Sequence, residues 1–199
     1  MEEEGVIQLD SEYRVTHIPE PHLSKLLFAD TRFAFLWLVV RLYAGWIWFQ
    51  AGIEKVQNPL WVGPKSGVAL TGFIMRALDK VSGPHPDVQV WYADFLKNFV
   101  LGNAQSFSYA VAFGEVLVGV GLILGVFTGI AAFFGALMNM NFLLAGTVST
   151  NPILFFCELF LILAWRVAGW WGLDRFLLPL LGTPWKPVDI LKSSKKVLT

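Results

Sequence analysis

Four long runs of apolar residues dominate this chain, and they cover residues 33–52, 106–125, 127–147 and 153–171. Each run has about the 20 residues that an α-helix needs to cross the hydrocarbon core of a bilayer. The pattern therefore predicts an all-α fold, an integral membrane four-helix bundle. The segment between the first two runs, residues 57–105, is long enough to hold structure of its own.

The remaining segments complete a single membrane domain, residues 1–199. Residues 1–32 are polar and predict a segment at the membrane surface. Residues 57–105 form a long excursion in which apolar residues at helical spacing predict a partly helical structure. Residues 172–199 predict an interfacial helix followed by a basic tail.

The positive charges outside the runs predict the orientation, because short cytoplasmic loops carry an excess of Lys and Arg. Four spans place both termini on one side, together with Arg14, Lys25, Arg32, Arg175, Lys186, Lys192, Lys195 and Lys196. The opposite side holds Lys55, Lys65, Arg76, Lys80 and Lys97. We therefore expect a multi-pass protein of the cell membrane with cytoplasmic termini and an extracytoplasmic excursion.

The composition agrees with a membrane protein: 55% of the residues are hydrophobic, 15% are charged, and the mean hydropathy is +0.57. The formal net charge of zero gives no electrostatic basis for binding nucleic acid. Cys157 is the single cysteine, which excludes an intramolecular disulfide or a CxxC redox pair. The acidic N-terminal residues 1–15 lack the apolar core of a cleavable signal peptide.

Four ionisable residues interrupt the apolar runs: Arg41, Glu115, Glu158 and Arg166. A charge at membrane depth is costly, so such groups normally face a bundle interior or a wet cavity and pair with one another. The rise per residue of a helix places Arg41 and Glu115 near the middle of the membrane. We expect the interior groups to converge on one shared cleft.

That cleft is the predicted functional site. Arg41, Glu115 and Glu158 are the candidate catalytic residues: the arginine would hold an anion and the carboxylates would accept protons. The candidate cofactor-binding residues are aromatic or carry an amide, and they are Trp37, Trp48, Gln50, Asn139 and Asn141. Glycines on the same helical faces would leave room for a flat amphipathic ring such as a quinone.

A purely structural interpretation stays open for each of these residues. Arg41 and Glu115 could form an ion pair that locks the bundle, and Asn139 or Asn141 could satisfy the Glu158 carboxyl group. Arg166 lies nearer one end of its run and could snorkel beside Trp170.

Motifs for resident redox groups and metals are missing from the sequence. His17, His22 and His85 lie outside the apolar runs, which excludes a bis-histidine haem within them. No HExxH, P-loop or GxGxxG in a strand–turn–helix context occurs. We expect no haem, metal or iron–sulfur cluster, so electrons in any redox reaction would pass to a diffusible carrier or a partner subunit.

Three segments together resemble the DoxX/DoxD family of small membrane proteins: RLYAGWIWFQAGIEKVQNPLW, then YAVAFGEVLVGVGLILGVFTGIAAFFGALMNMNFLLAGTVSTNPILFF, and finally LAWRVAGWWGLDRFLLPLLGTPW. The long excursion resembles the DoxD side of the family. The resemblance implies a four-helix membrane bundle. It also implies a membrane subunit of thiosulfate:quinone oxidoreductase, which oxidises thiosulfate to tetrathionate with a DoxA-like partner and passes the electrons to quinone.

Two other functions compete with this one. The chain could be a non-catalytic membrane anchor or scaffold for a soluble redox enzyme, since it carries no redox ligand of its own. It could also be a small transporter, although no inverted repeat is visible. A homo-oligomer is compatible with each of these functions.

Overall fold

The computed structural model of the chain describes residues 21–182, and these residues are all-helical with no strand. A short helix, α1 (His22–Ala29), precedes a 3-10 turn at Thr31–Phe33. The Asp30 side chain accepts a hydrogen bond from the Arg32 backbone N–H at 2.9 Å and so caps that turn. The chain then continues directly into the first long helix.

The four main helices lie within or overlap the four apolar runs. They are α2 (Ala34–Gln57), α5 (Ala104–Leu124), α6 (Thr128–Leu144) and α7 (Asn151–Leu163). Pairwise contacts join α2 to α5, α5 to α6, α6 to α7 and α7 back to α2, so the four helices form a ring. Its core contains buried residues from all four, among them Trp48, Leu122, Ala132 and Leu161.

Two helical segments, Thr31–Gln57 and Val90–Leu124, are long and apolar enough to cross a membrane. The helices α6 and α7 are apolar but have only 17 and 13 residues. The fourth apolar run is not one continuous helix, because the chain leaves helical geometry at Ala164 before α8 (Trp165–Ala168). A helix, α9 (Asp174–Leu180), is present in the segment where the sequence predicts an interfacial one.

The excursion is helical, as its apolar spacing predicts. It contains α3 (Val68–Leu78) and then α4 (Val90–Phe95), which runs through a π-helical turn at Leu96–Val100 and a 3-10 turn at Leu101–Asn103 into α5. A second apolar core joins both helices to the end of α6 through Ala145. The excursion therefore caps one end of the ring, which we call the excursion end.

The opposite end is formed by the tight connection between α5 and α6, and we call it the turn end. Gly125 and Phe127 both have positive φ there, 66° and 47°, so the chain reverses within three residues. This reversal makes α5 and α6 antiparallel neighbours.

Glycine permits the closest helix contact, between α2 and α5. A Cβ added at Gly119 would lie 2.6 Å from the Cα of Phe49, and one at Gly52 would lie 2.6 Å from the Val116 backbone nitrogen. Backbones this close leave no room for a cavity between these two helices. The polar side chains of α2 are therefore directed toward the other helices or toward the ends of this interface.

Candidate functional site

Three side chains of α2 recur every seven residues: Arg41, Trp48 and Lys55. Seven residues are nearly two helical turns, so the three share one face of the helix and follow one another at intervals of roughly 10 Å. Each of them binds a different polar partner. We call these three residues the polar ladder.

The first residue of the ladder lies at the turn end. Arg41 is 1% exposed, and its guanidinium donates from Nη1 to the carbonyl of Ala168 at 3.3 Å and from Nη2 to the carbonyl of Trp171 at 3.1 Å. Its Nε is buried and has no partner among residues 21–182. Since a Cβ at Gly125 or Gly172 would collide with Nη1, these two glycines make room for the arginine.

A buried carboxylate, Asp174, lies at the same end. Its two oxygens accept hydrogen bonds from the backbone N–H groups of Phe127 at 2.6 Å and Thr128 at 2.8 Å. It therefore caps the N-terminus of α6 from a distant part of the chain, where the helix dipole favours a negative charge. Gly169 leaves the space that this carboxylate fills.

The second residue of the ladder, Trp48, donates its indole N–H to Oε1 of Glu158. The other oxygen, Oε2, accepts from Nδ2 of Asn139 at 2.7 Å. Both Glu158 and Asn139 are fully buried, and Oδ1 of Asn139 has no partner among the described residues. The carboxyl group also packs on Gly135, where a Cβ would lie 2.6 Å from Oε1.

The third residue of the ladder lies at the excursion end. The ammonium group of Lys55 is 2.7 Å from Oε2 of Glu115, and the side chains are 21% and 1% exposed. The same ammonium group lies 5.4 Å from the centroid of the Trp61 ring, a cation–π distance. This ion pair is thus buried on the carboxylate side and open on the lysine side.

These positions correct the expectation of one shared cleft and exclude the alternative of an ion pair between Arg41 and Glu115. Arg41 does not pair with Glu115, because each is bound by other groups at opposite ends of α2. The 14 residues between Arg41 and Lys55 correspond to about 21 Å along the helix. Arg41 therefore lies beside the α5–α6 turn, not level with Glu115, and the interior charges occupy three levels in place of one shared cleft.

The predicted cofactor-binding residues also lie apart. Trp37 stacks with Phe28 and Phe160 at centroid distances of 5.7 Å and 6.3 Å, and Trp48 stacks with Phe142 at 6.4 Å. Rings of the protein thus occupy the faces that were expected to hold a quinone. These two tryptophans consequently offer no ready cleft for a flat ring in this structure.

The polar members of the predicted set have separate surroundings. Gln50 is exposed. Asn141 donates to the carbonyl of Leu137 at 2.7 Å and accepts from the Tyr92 hydroxyl at 3.1 Å, so it joins α6 to the excursion. Of the two asparagines, only Asn139 binds the Glu158 carboxyl group.

Arg166 also differs from its expected setting. Its guanidinium lies 5.7 Å from the Trp165 ring, whereas Arg175 lies 4.9 Å from the Trp170 ring. Two surface grooves share Trp165, and neither is lined by a residue of the polar ladder.

Sequence reasoning missed Lys55 and Asp174 as interior partners. Lys55 lies beyond the apolar part of its run, yet its spacing of 14 residues from Arg41 places it on the same helical face. Asp174 follows two tryptophans and a glycine in an apolar stretch, where an unneutralised carboxylate needs buried donors. Within residues 21–182, three or more His, Cys, Asp or Glu residues do not come together as a metal site would require.

Comparison with protein-family models identifies the family of this chain. A family model described as DoxX matches residues 36–147, which is more than half of the chain and includes the polar ladder, Glu115 and Asn139. Neither the curated proteins nor the solved structures contain a significant match. With its two long apolar helices, this chain belongs to the DoxX family of membrane proteins.

Proposed function

We propose that this chain is a multi-pass membrane protein in which α2, α5, α6 and α7 form a four-span bundle. Its role in this proposal is that of a membrane anchor and scaffold for a redox partner. The ring of helix contacts and the apolar surfaces of the helices support the bundle. The shortness of α6 and α7 is compatible with spanning if the flanking turns lie in the interface.

One observation carries the scaffold role: each buried charged group among residues 21–182 binds partners inside the protein, and only Nε of Arg41 is left without one. Arg41 binds two backbone carbonyls, Asp174 binds two backbone N–H groups, Glu115 binds a lysine, and Glu158 binds an indole and an amide. Burying a charge is costly unless such partners compensate it. Groups held in this way brace helices against one another, which is what an anchor requires.

The proposed orientation has cytoplasmic termini, and it rests on the basic residues in the sequence. Cysteine labelling tests it, because Cys157 is the single native cysteine. In a Cys157→Ser background, His85→Cys in the excursion should react with a membrane-impermeant maleimide added to intact cells. His22→Cys should react only after the membrane is opened. The reverse pattern would overturn the orientation.

A second candidate is the quinone-linked oxidoreductase subunit, with thiosulfate as donor and a DoxA-like partner. The Trp48–Glu158–Asn139 cluster favours it, because Oδ1 of Asn139 is a buried acceptor without a donor among the described residues. In this candidate Glu158 holds the proton that is exchanged beside a bound ring. Arg41 contributes to anion binding only if it releases the carbonyls of Ala168 and Trp171.

One experiment separates the two candidates. Thiosulfate-dependent reduction of a soluble quinone analogue is measured with membranes that contain the chain and its candidate partner, for wild type, Glu158→Gln and the exposed control Glu54→Gln. The scaffold proposal expects equal rates in all three. A loss of more than tenfold in Glu158→Gln alone, at unchanged protein level and thermal stability, would favour the oxidoreductase.

A further inference from the structure

Two grooves near the turn end share Trp165 as part of their walls, and no residue of the polar ladder lines either of them. The first has a volume of about 310 Å³ and lies between α6, α7 and α9, where it is lined by Phe127, Thr128, Gly129, Ile130, Ile162, Trp165, Asp174, Leu178 and Leu181. The second has a volume of about 340 Å³ and lies between α1 and the α7–α8 junction, where it is lined by Ser24, Phe28, Ala29, Leu163, Trp165 and Arg166. Both volumes fall in the range of small-molecule sites.

The second groove carries a positive charge. Arg166 is exposed, and it makes no ion pair with a carboxylate among residues 21–182. The Ser24 hydroxyl lines the same groove. A guanidinium beside a hydroxyl suits the oxygens of a phosphodiester, which an arginine binds with charge-assisted hydrogen bonds.

The first groove is almost wholly apolar at its surface. Its wall includes Thr128, which is fully buried and whose hydroxyl oxygen has no hydrogen-bond partner among the described residues. Such a lining suits a hydrocarbon chain, and an ester carbonyl at its end would accept a hydrogen bond from the Thr128 hydroxyl. Trp165 forms part of the wall of both grooves, and the residue is 37% exposed.

The surroundings agree with an interfacial lipid. The amphipathic helix α1 packs on α8, and Trp171 is 61% exposed at the same end. Tryptophan at this level is typical of the boundary between headgroups and acyl chains. Lys25 and Arg175 are also exposed there, while Asp174 is buried against backbone N–H groups, so the accessible charge is positive.

We propose that the two grooves around Trp165 bind one anionic phospholipid. The phosphodiester lies against Arg166 and Ser24, and an acyl chain lies in the apolar groove with its ester carbonyl at Thr128. The inference rests on the proposed placement of the bundle in a membrane but not on the scaffold role. Asp174 enters it only as a carboxylate that is already bound to backbone N–H groups.

The test is native mass spectrometry of the purified full-length chain in detergent, titrated with a phosphatidylglycerol and with a phosphatidylcholine of identical acyl chains. We expect phosphatidylglycerol to be retained at least fivefold more strongly. Arg166→Gln should reduce phosphatidylglycerol binding about fivefold, since one basic side chain near a lipid surface contributes about that factor. Arg166→Lys should keep most of the binding, and the exposed control Arg76→Gln should keep all of it.

The apolar groove is tested separately by Leu181→Trp, which adds bulk at an exposed wall position and leaves Arg166 in place. It should weaken binding of both lipids by a similar factor. Inorganic phosphate, added at the same concentration as the lipid, should leave thermal stability unchanged. Equal retention of the two lipids, unchanged binding in Arg166→Gln, or equal stabilisation by inorganic phosphate would each overturn the proposal.

Discussion

The buried charges at the turn end and those farther along the bundle are satisfied by different kinds of partner. Arg41 and Asp174 bind backbone carbonyls and backbone N–H groups. Glu158 and Glu115 bind the side chains of Trp48, Asn139 and Lys55. Charges buried away from water are thus stabilised in two ways in this protein, by backbone groups at the turn end and by side chains farther along the bundle.

The difference matters for function. A backbone partner at a helix end is fixed unless the helix unwinds, so Arg41 and Asp174 hold α6, α8 and the α5–α6 turn in one arrangement. A side-chain partner can rotate away when a carboxyl group gains a proton or a ligand arrives. Any chemistry of this chain should therefore be sought at Glu158 and Glu115. Substitutions at the turn end should lower the stability of the protein more than substitutions at these two residues.

The largest expected effect is that of Arg41→Met. It removes two charge-assisted hydrogen bonds and leaves the carbonyls of Ala168 and Trp171 without these donors, at a cost of about 3 kcal/mol in the free energy of unfolding. Unfolding in mixed detergent and dodecyl sulfate micelles measures it. Leu42→Met, at the exposed neighbouring position, is the control and should change little. A loss below about 1 kcal/mol would contradict the structural role of Arg41.

Asp174→Ala should cost about 2 kcal/mol, because α6 loses its cap and two backbone N–H groups lose their acceptor. Asp174→Asn keeps one acceptor and should lose about half as much. Faster hydrogen exchange at Phe127 and Thr128 should accompany the loss in Asp174→Ala. Asp94→Ala, at an exposed position in α4, serves as the control. Unchanged hydrogen exchange at both amides would contradict the role of Asp174 as the cap of α6.

Lys55→Met should cost about 1 to 2 kcal/mol, since it leaves Glu115 buried without its cation, while the partial exposure of Lys55 limits the effect. Adding Glu115→Leu should restore most of that stability, because removal of both partners leaves no unpaired group. A double-mutant cycle measures the coupling, with the exposed Lys65→Met as control. Additive effects of the two substitutions would show that the pair contributes nothing.

More of the fold than of the candidate site could be predicted from the sequence. Apolar runs and helical spacing predicted α2, α5, α6 and the excursion helix α3, because burial of apolar surface dictates both the pattern and the helix. The irregularity at Ala164 was not predicted, since no proline or glycine marks that position. In the structure the next residue, Trp165, packs against Gly129, where a Cβ would lie 2.8 Å from the Trp165 Cβ.

The partners of the charges could not be predicted, because sequence separation says little about them. Arg41 is bound by groups 127 and 130 residues away, and Lys55 is 60 residues from Glu115. The similar depth predicted for Arg41 and Glu115 left an ion pair between them open. The partner that each charge binds is determined by its depth along α2. That depth depends on how far each helix is shifted along its neighbour.

The smallest effect, and the sharpest test of the comparison, is expected for Glu158→Gln. The new amide keeps the shape of the carboxyl group, and its oxygen can accept from Trp48. Oδ1 of Asn139 has no partner among the described residues of the wild type. Rotation of the Asn139 amide would let this oxygen accept a hydrogen bond from the new NH2 group. The free energy of unfolding should fall by less than 1 kcal/mol, measured beside the exposed control Glu54→Gln. Such rotation is available only to side-chain partners. A loss of unfolding free energy as large as that of Arg41→Met would therefore mean that the Glu158 carboxylate is held as rigidly as the groups at the turn end.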